Sequence, residues 1–255
     1  MVAFLLLSAC SNQGEWTLET WGEEYIEEEI PSADFADGCE ATYDTFLVSM
    51  TEMGLVDGNG EYAATIPGSL VFDVSQVGPH FVGSSAAPVG LYTTVKARIA
   101  PSTDLEAGNA TEAQVALLRD NGWSVYAEGS ATCGAETVSF AWGYAGDTTY
   151  LCEPSGLEVP RGGAALSELT IHGDHLFYDG LEDPDAQVRG RAIVDADADG
   201  DGIVTHAELA AVDVAPLGYT VGRFGDVRNL DQFVGHLTTT LGHIDGEGHC
   251  TTVRQ

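Results

Sequence analysis

"DADGDGIVTHAEL", residues 197–209, sets three aspartates at alternate positions, places Gly200 before and Gly202 after the last of them, and adds a glutamate at position 208. Carboxylates packed this closely repel one another, and the chain already carries a formal net charge of −31. The run is therefore either a solvated linker or a loop built around a cation. It lies past a change in the character of the chain, which falls after His175. Upstream, apolar residues recur with the period of two that marks strands. Downstream they recur at helical spacing.

Seven upstream runs suit strands bounded by Gly, Pro, Asn and Ser: "TYDTFLVSMTEMGLV", "SLVFDVS", "GLYTTVKARIA", "WSVYAEGSAT", "ETVSFAWGY", "TTYLCE" and "AALSELTIH". Their number and spacing predict an antiparallel sandwich or a barrel-like body over residues 35–175. One interruption, "TEAQVALLRDNGW", places Ala113, Leu117 and Leu118 on one helical face and ends at Asn121-Gly122. Past His175, Asp183-Pro184 opens a helix through about Asp195. Thr205 and Glu208 form a T-x-x-E capping box. A last helix, 229–241, carries Leu230, Phe233, Val234, Leu237 and Leu241 on one side. The expected fold class is α+β, a β body followed by a small helical tail over residues 176–255.

Helix, twelve-residue acidic loop and helix resembles the EF-hand calcium-binding superfamily across residues 183–215. The loop pattern D-x-[DN]-x-[DN]-G-x5-E is met by Asp197, Asp199, Asp201, Gly202 and Glu208. A calcium ion takes six to eight oxygens at about 2.3–2.6 Å. The resemblance implies ligands from Asp197, Asp199 and Asp201, the Ile203 carbonyl, Thr205 through a water, and both Glu208 oxygens. Val204 packs the loop on a partner, and His206 points to solvent. Only one full loop is present; "YTVGRFGDVRNLDQFV" reads as a degenerate second hand, with 219–221 pairing against 203–205. A single hand with no Met in the tail favours a structural calcium over a calmodulin-like switch.

The charge balance, 40 acidic against 9 basic side chains, excludes nucleic acid as a partner and offers no polybasic patch for anionic lipid. The N-terminus, "MVAFLLLSAC", resembles the lipobox of bacterial lipoproteins, although no Lys or Arg precedes its short apolar run. In that family the cysteine, here Cys10, is lipidated and begins the mature chain. The resemblance implies a signal peptide over residues 1–9 and a protein held at the bacterial cell envelope by lipid alone. The acidic composition that follows reads as a linker over 10–34, in which a short helix around Trp21–Ile30 could dock through its aromatic residues. The remaining four cysteines make two disulfides in an exported chain. Cys39–Cys133 with Cys152–Cys250 is the preferred pairing, and a local Cys133–Cys152 bridge is nearly as good.

Histidines cluster in "IHGDHLFYD" and "GHIDGEGHC". If the tail folds back on the body, His172, His175, His243 and His249 meet, and imidazoles with Asp174 suit zinc or copper. "TIHGDH" resembles part of the HxHxDH motif of metallo-β-lactamase-type hydrolases, with Thr170 where the first histidine belongs. No HExxH, GxSxG, P-loop or helix-opening GxGxxG occurs. The first reading is therefore a non-enzymatic, lipid-anchored calcium-binding protein whose β body has a protein or glycan partner the residues do not name. The alternatives are a transition-metal binder and, behind it, a metal-dependent hydrolase. If Cys10 carries the anchor, Cys10→Ala moves the protein from the membrane fraction to the soluble fraction. Unchanged membrane retention would remove the lipobox reading.

Overall fold

The computed structural model describes residues 12–246 and 248–254, so Cys10 and the lipobox lie outside the described residues. Two curled sheets make the body. One has four strands in the order Gly242–Ile244, Ala164–Ile171, Gln13–Trp21 and His80–Pro88. The other has ten, running from Ile203–Val204 through Glu136–Tyr144, Val125–Cys133, Glu40–Val56, Thr94–Ile99 and Thr148–Cys152 to Cys250–Arg254. Most pairings are antiparallel, and a β-rich α+β sandwich with few helices results.

The strand Glu40–Val56 is 17 residues long and would overrun the body if straight. It bends at register shifts between Tyr43 and Thr45, between Thr51 and Gly54, and between Leu55 and Val56. Bulges of this kind sharpen the local twist and let one strand serve two parts of a sheet. Glu52 sits in the second shift at φ 49°, and a Cβ on Gly54 would lie 2.6 Å from the Ala64 carbonyl oxygen.

The reading of residues 10–34 as a linker is overturned. Gln13–Trp21 is an inner strand, parallel to Ala164–Ile171 and antiparallel to His80–Pro88. Trp16, Leu18 and Thr20 face the core, while Glu15, Thr17 and Glu19 alternate outward. Burying a side chain of this size contributes about 1.5–3 kcal/mol, enough to override the acidic character of the segment. The short helix Glu23–Glu27 then docks through Ile26.

The boundary at residue 175 is overturned as well. Gly242–Ile244 and Cys250–Arg254 return to the two sheets of the body. Between them and the body the helices are short, Arg191–Val194, His206–Leu209 and Leu230–Leu237, with a turn rather than a helix after Asp183. The helix Glu112–Asn121 matches its expected place, capped by Thr111 and ended by Gly122 at φ 66°.

Both preferred disulfides form, Cys39–Cys133 and Cys152–Cys250. The register explains them: Glu40 lies opposite Thr132, and Cys152 opposite Cys250. The second bridge ties the returning tail strand to its neighbour. Two such bridges mark a chain that matures in an oxidising compartment, the periplasm or the cell exterior. No helix among the described residues is long and apolar enough to cross a membrane.

Candidate metal centre

Strand Ala164–Ile171 runs out into His172 and a short 3-10 turn, Gly173–Phe177, that carries Asp174 and His175. On its edge, Thr170 is paired with His243 of Gly242–Ile244. That cross-strand register brings the tail histidine beside the body histidines. Ring centroids are 4.1 Å apart for His172 and His243, 5.4 Å for His172 and His175, and 5.2 Å for His175 and His243. One ring nitrogen from each of the three lies within 4.8 Å of the others, so the group is able to hold a metal ion. His172 and His175 are each 7% exposed.

His249 does not join them. It is exposed, its ring centroid 6.4 Å from that of His243, and it lies outside the three-histidine group.

Two threonines orient the rings. Thr240 Oγ1 donates to the Leu237 carbonyl at 2.9 Å, so it accepts from His175 Nδ1–H at 3.1 Å. A hydroxyl has only one proton to give, and this leaves His175 Nε2 with a lone pair. Thr170 Oγ1 likewise donates to the Gly246 carbonyl at 3.2 Å and meets His172 Nε2 at 3.3 Å. Such partners hold a ligand imidazole in one tautomer and orientation. His243 Nδ1 is buried with no hydrogen-bond partner among the described residues.

Carboxylates surround the group. Glu23 Oε2 is 3.6 Å from His172 Nε2, and Asp174 Oδ1 is 3.9 Å from His172 Nδ1. Tyr178 donates to Asp174 Oδ2 at 3.0 Å. Neither threonine nor Glu23 was legible as part of a site. Thr240 lies 65 residues from His175, and a lone hydroxyl carries no metal-ligand spacing.

Burial, then the neighbouring His172 and His243, push His175 down to about 3 from 6.5. Burial, then His172 and His249, push His243 down to about 4. Both rings are therefore neutral at pH 7, the state in which imidazole ligates.

The acidic loop is a second cluster. Carboxylate oxygens of Asp197, Asp199 and Glu208 lie within 4.8 Å of one another. Asp201 is outside that group, and its carboxylate accepts from Ile203 N at 2.8 Å. Asp197 accepts from the backbone of Gly200, Asp201 and Gly202. The Thr205–Glu208 capping box is present, and the Thr205 backbone and hydroxyl hold the Glu208 carboxyl below its ordinary value against a smaller burial effect.

Two expectations around the loop fail. Ile203–Val204 pairs in parallel with Ser139–Phe140 of the body and not with residues 219–221, because Thr220 bridges to Gly180 instead. His206 does not point freely to solvent: its Nδ1 is 2.6 Å from Asp231 Oδ1, and its Nε2 accepts from Gly143 N at 3.3 Å. Val204 is buried as expected, and Trp142 Nε1 donates to its carbonyl at 2.8 Å.

No protein-family model and no curated protein matches the chain. Among solved structures, MbnP from Methylosinus trichosporium shares 10% identity over 71% of this chain and 88% of that one, with a TM-score of 0.39. A likeness this remote assigns no site.

The buried histidines set a pH dependence. Unfolded, His175 and His243 take up protons near 6.5; folded, they resist until about 3 and about 4. The unfolded state thus binds more protons across that window, and stability rises with pH there. Metal-free protein should lose stability as pH falls from 6.5 to about 5, above the carboxylate range. His175→Asn keeps a donor for Thr240 and should flatten that slope in urea unfolding series. An unchanged slope would mean that His175 is not neutral in the fold.

Proposed function

We propose that this exported protein binds a transition metal ion, copper or zinc, through His172, His175 and His243. The observation that carries the reading is the convergence of three ring nitrogens within 4.8 Å, two of the rings buried. An imidazole set of this kind suits zinc and copper and not calcium, which takes oxygen. Further support comes from the threonine hydroxyls that orient His172 and His175, and from His243 Nδ1, which is buried with no hydrogen-bond partner among the described residues. Three protein ligands leave a position for a further donor, and Asp174 is the nearest carboxylate on the same turn.

Elemental analysis of protein prepared without chelator should find about one copper or zinc per chain. His175→Asn preserves the Thr240 hydrogen bond and removes the Nε2 ligand. It should weaken binding at least tenfold in competition with a chromophoric chelator, with little change in the metal-free melting temperature. Equal affinity in the variant and the parent would eliminate the three-histidine centre.

A second metal belongs to a different observation. We propose calcium at the acidic loop, with Asp197, Asp199 and Glu208 as the core ligands and Asp201, the Ile203 carbonyl and Thr205 completing the shell. Support comes from the convergence of three carboxylates and from Gly200 and Gly202 at φ 74° and 80°, the turn the loop needs. Outside cells an affinity of about 10⁻⁴–10⁻³ M suffices. Calcium at about 100 times the dissociation constant then adds about 2.7 kcal/mol of stability. Glu208→Gln should abolish most of the calcium-dependent rise in Tm, and magnesium should reproduce little of it. Identical melting in calcium and in chelator would mean that the loop holds no calcium.

A further inference from the structure

Basic side chains are scarce in this chain, yet two of the nine line one cavity. It measures about 260 Å³ and lies between the end of helix Leu230–Leu237, strand Cys250–Arg254 and the loop around Phe224. Arg223 and Arg254 flank the Phe224 ring, 5.3 and 4.8 Å from its centroid. His236 and Thr252 also line the cavity, and Glu182 is the one carboxylate among the lining residues.

Hydrogen bonds fix the Arg254 guanidinium in the wall of this space and leave an Nη1 N–H over. Arg254 Nε and Nη2 donate to Thr239 Oγ1, Nη2 also to the His236 carbonyl, and Nη1 to His236 Nδ1. All of these partners are uncharged. Half-buried, the Arg254 guanidinium has its pKa pushed down, chiefly by burial. Because His236 Nδ1 accepts from Arg254, the ring proton sits on Nε2, which remains a donor. Arg223 is engaged by Glu182 through one nitrogen, and its side chain is 73% exposed, so its other N–H groups are available. With His236 neutral, two guanidiniums and one carboxylate leave the cavity at +1 in a chain of −31.

We propose that this cavity binds a compact oxyanion, the phosphate or carboxylate group of a small molecule, between Arg223 and Arg254. A structural role explains Arg254, which pins the last strand to the helix, and the single nitrogen that Arg223 gives to Glu182, but not why a second guanidinium with N–H groups to spare is set beside the first in so acidic a chain. Guanidinium pairs match the two-oxygen edge of both groups. The proposal is independent of either metal. Thr240 lines the cavity and also meets His175 Nδ1, so the anion titration is done on metal-free protein.

The test titrates desalted, metal-free protein with sodium phosphate, sodium succinate and sodium chloride, by calorimetry and by NMR of the arginine Nε–H signals. Saturable binding of phosphate or succinate, with none of chloride, is expected; the stronger of the two names the source. Arg223→Gln removes an exposed side chain and should weaken binding about tenfold with Tm unchanged. Glu182→Gln removes the only lining carboxylate and should tighten binding severalfold, a gain that a structural role would not produce. Absence of saturation by both anions, or a Glu182→Gln protein that binds no better than the parent, overturns the proposal.

Discussion

The antiparallel register between Leu169–Ile171 and Gly242–Ile244 is the constraint on which the candidate metal centre depends. It sets His243 opposite Thr170, two positions before His172. Side chains along a strand alternate between faces, so a slip of one residue would send His243 to the other side of the sheet. The pairing is held from outside by the Cys152–Cys250 bridge, which anchors the segment just after it. It is held from inside by Leu241 and Ile244, both buried. A seventy-residue excursion therefore returns to one register, and two distant histidine pairs become one cluster of three.

Electrostatics divides the molecule in two. Its surface carries nearly all of the forty acidic groups and raises the local concentration of cations. Its histidine centre sits below that surface, where desolvation keeps His175 and His243 neutral. A ligand imidazole must be unprotonated, and burial holds these two rings in that state. Thr240 and Thr170 do the rest, because each spends its one proton on a backbone carbonyl and is left to accept from a ring.

The acidic loop is attached to the β body itself. Its short strand, Ile203–Val204, adds to the sheet beside Ser139–Phe140, where the EF-hand resemblance leads one to expect residues 219–221. Trp142 caps the Val204 carbonyl, and His206 joins Asp231 at the start of helix Leu230–Leu237. The far end of that helical segment holds Thr240, against His175. The loop thus meets the start of this helix, and the histidine centre meets the turn that follows its end.

Much of the fold was legible from residue order. The alternating runs, the helix at Glu112–Asn121 and the capping box at Thr205–Glu208 rest on local spacing, and local spacing decides strand, helix and turn. The disulfides span 94 and 98 residues, and strand register decides between the preferred pairing and the local bridge. Gln13–Trp21 was misread although Trp16, Leu18 and Thr20 alternate there. Acidic composition outweighed periodicity in the reading, while in the molecule burial of the apolar face outweighs charge that stays in solvent. The clustering of histidines in two short stretches was visible too. Which of them meet was not: His243 and His249 are six residues apart, and only strand register separates a half-buried ring inside the cluster from an exposed one outside it. The same holds for Thr170, Thr240 and the Arg223–Arg254 cavity. A hydroxyl or a guanidinium acquires its role from what tertiary packing sets against it, and no periodicity along the chain encodes that neighbour.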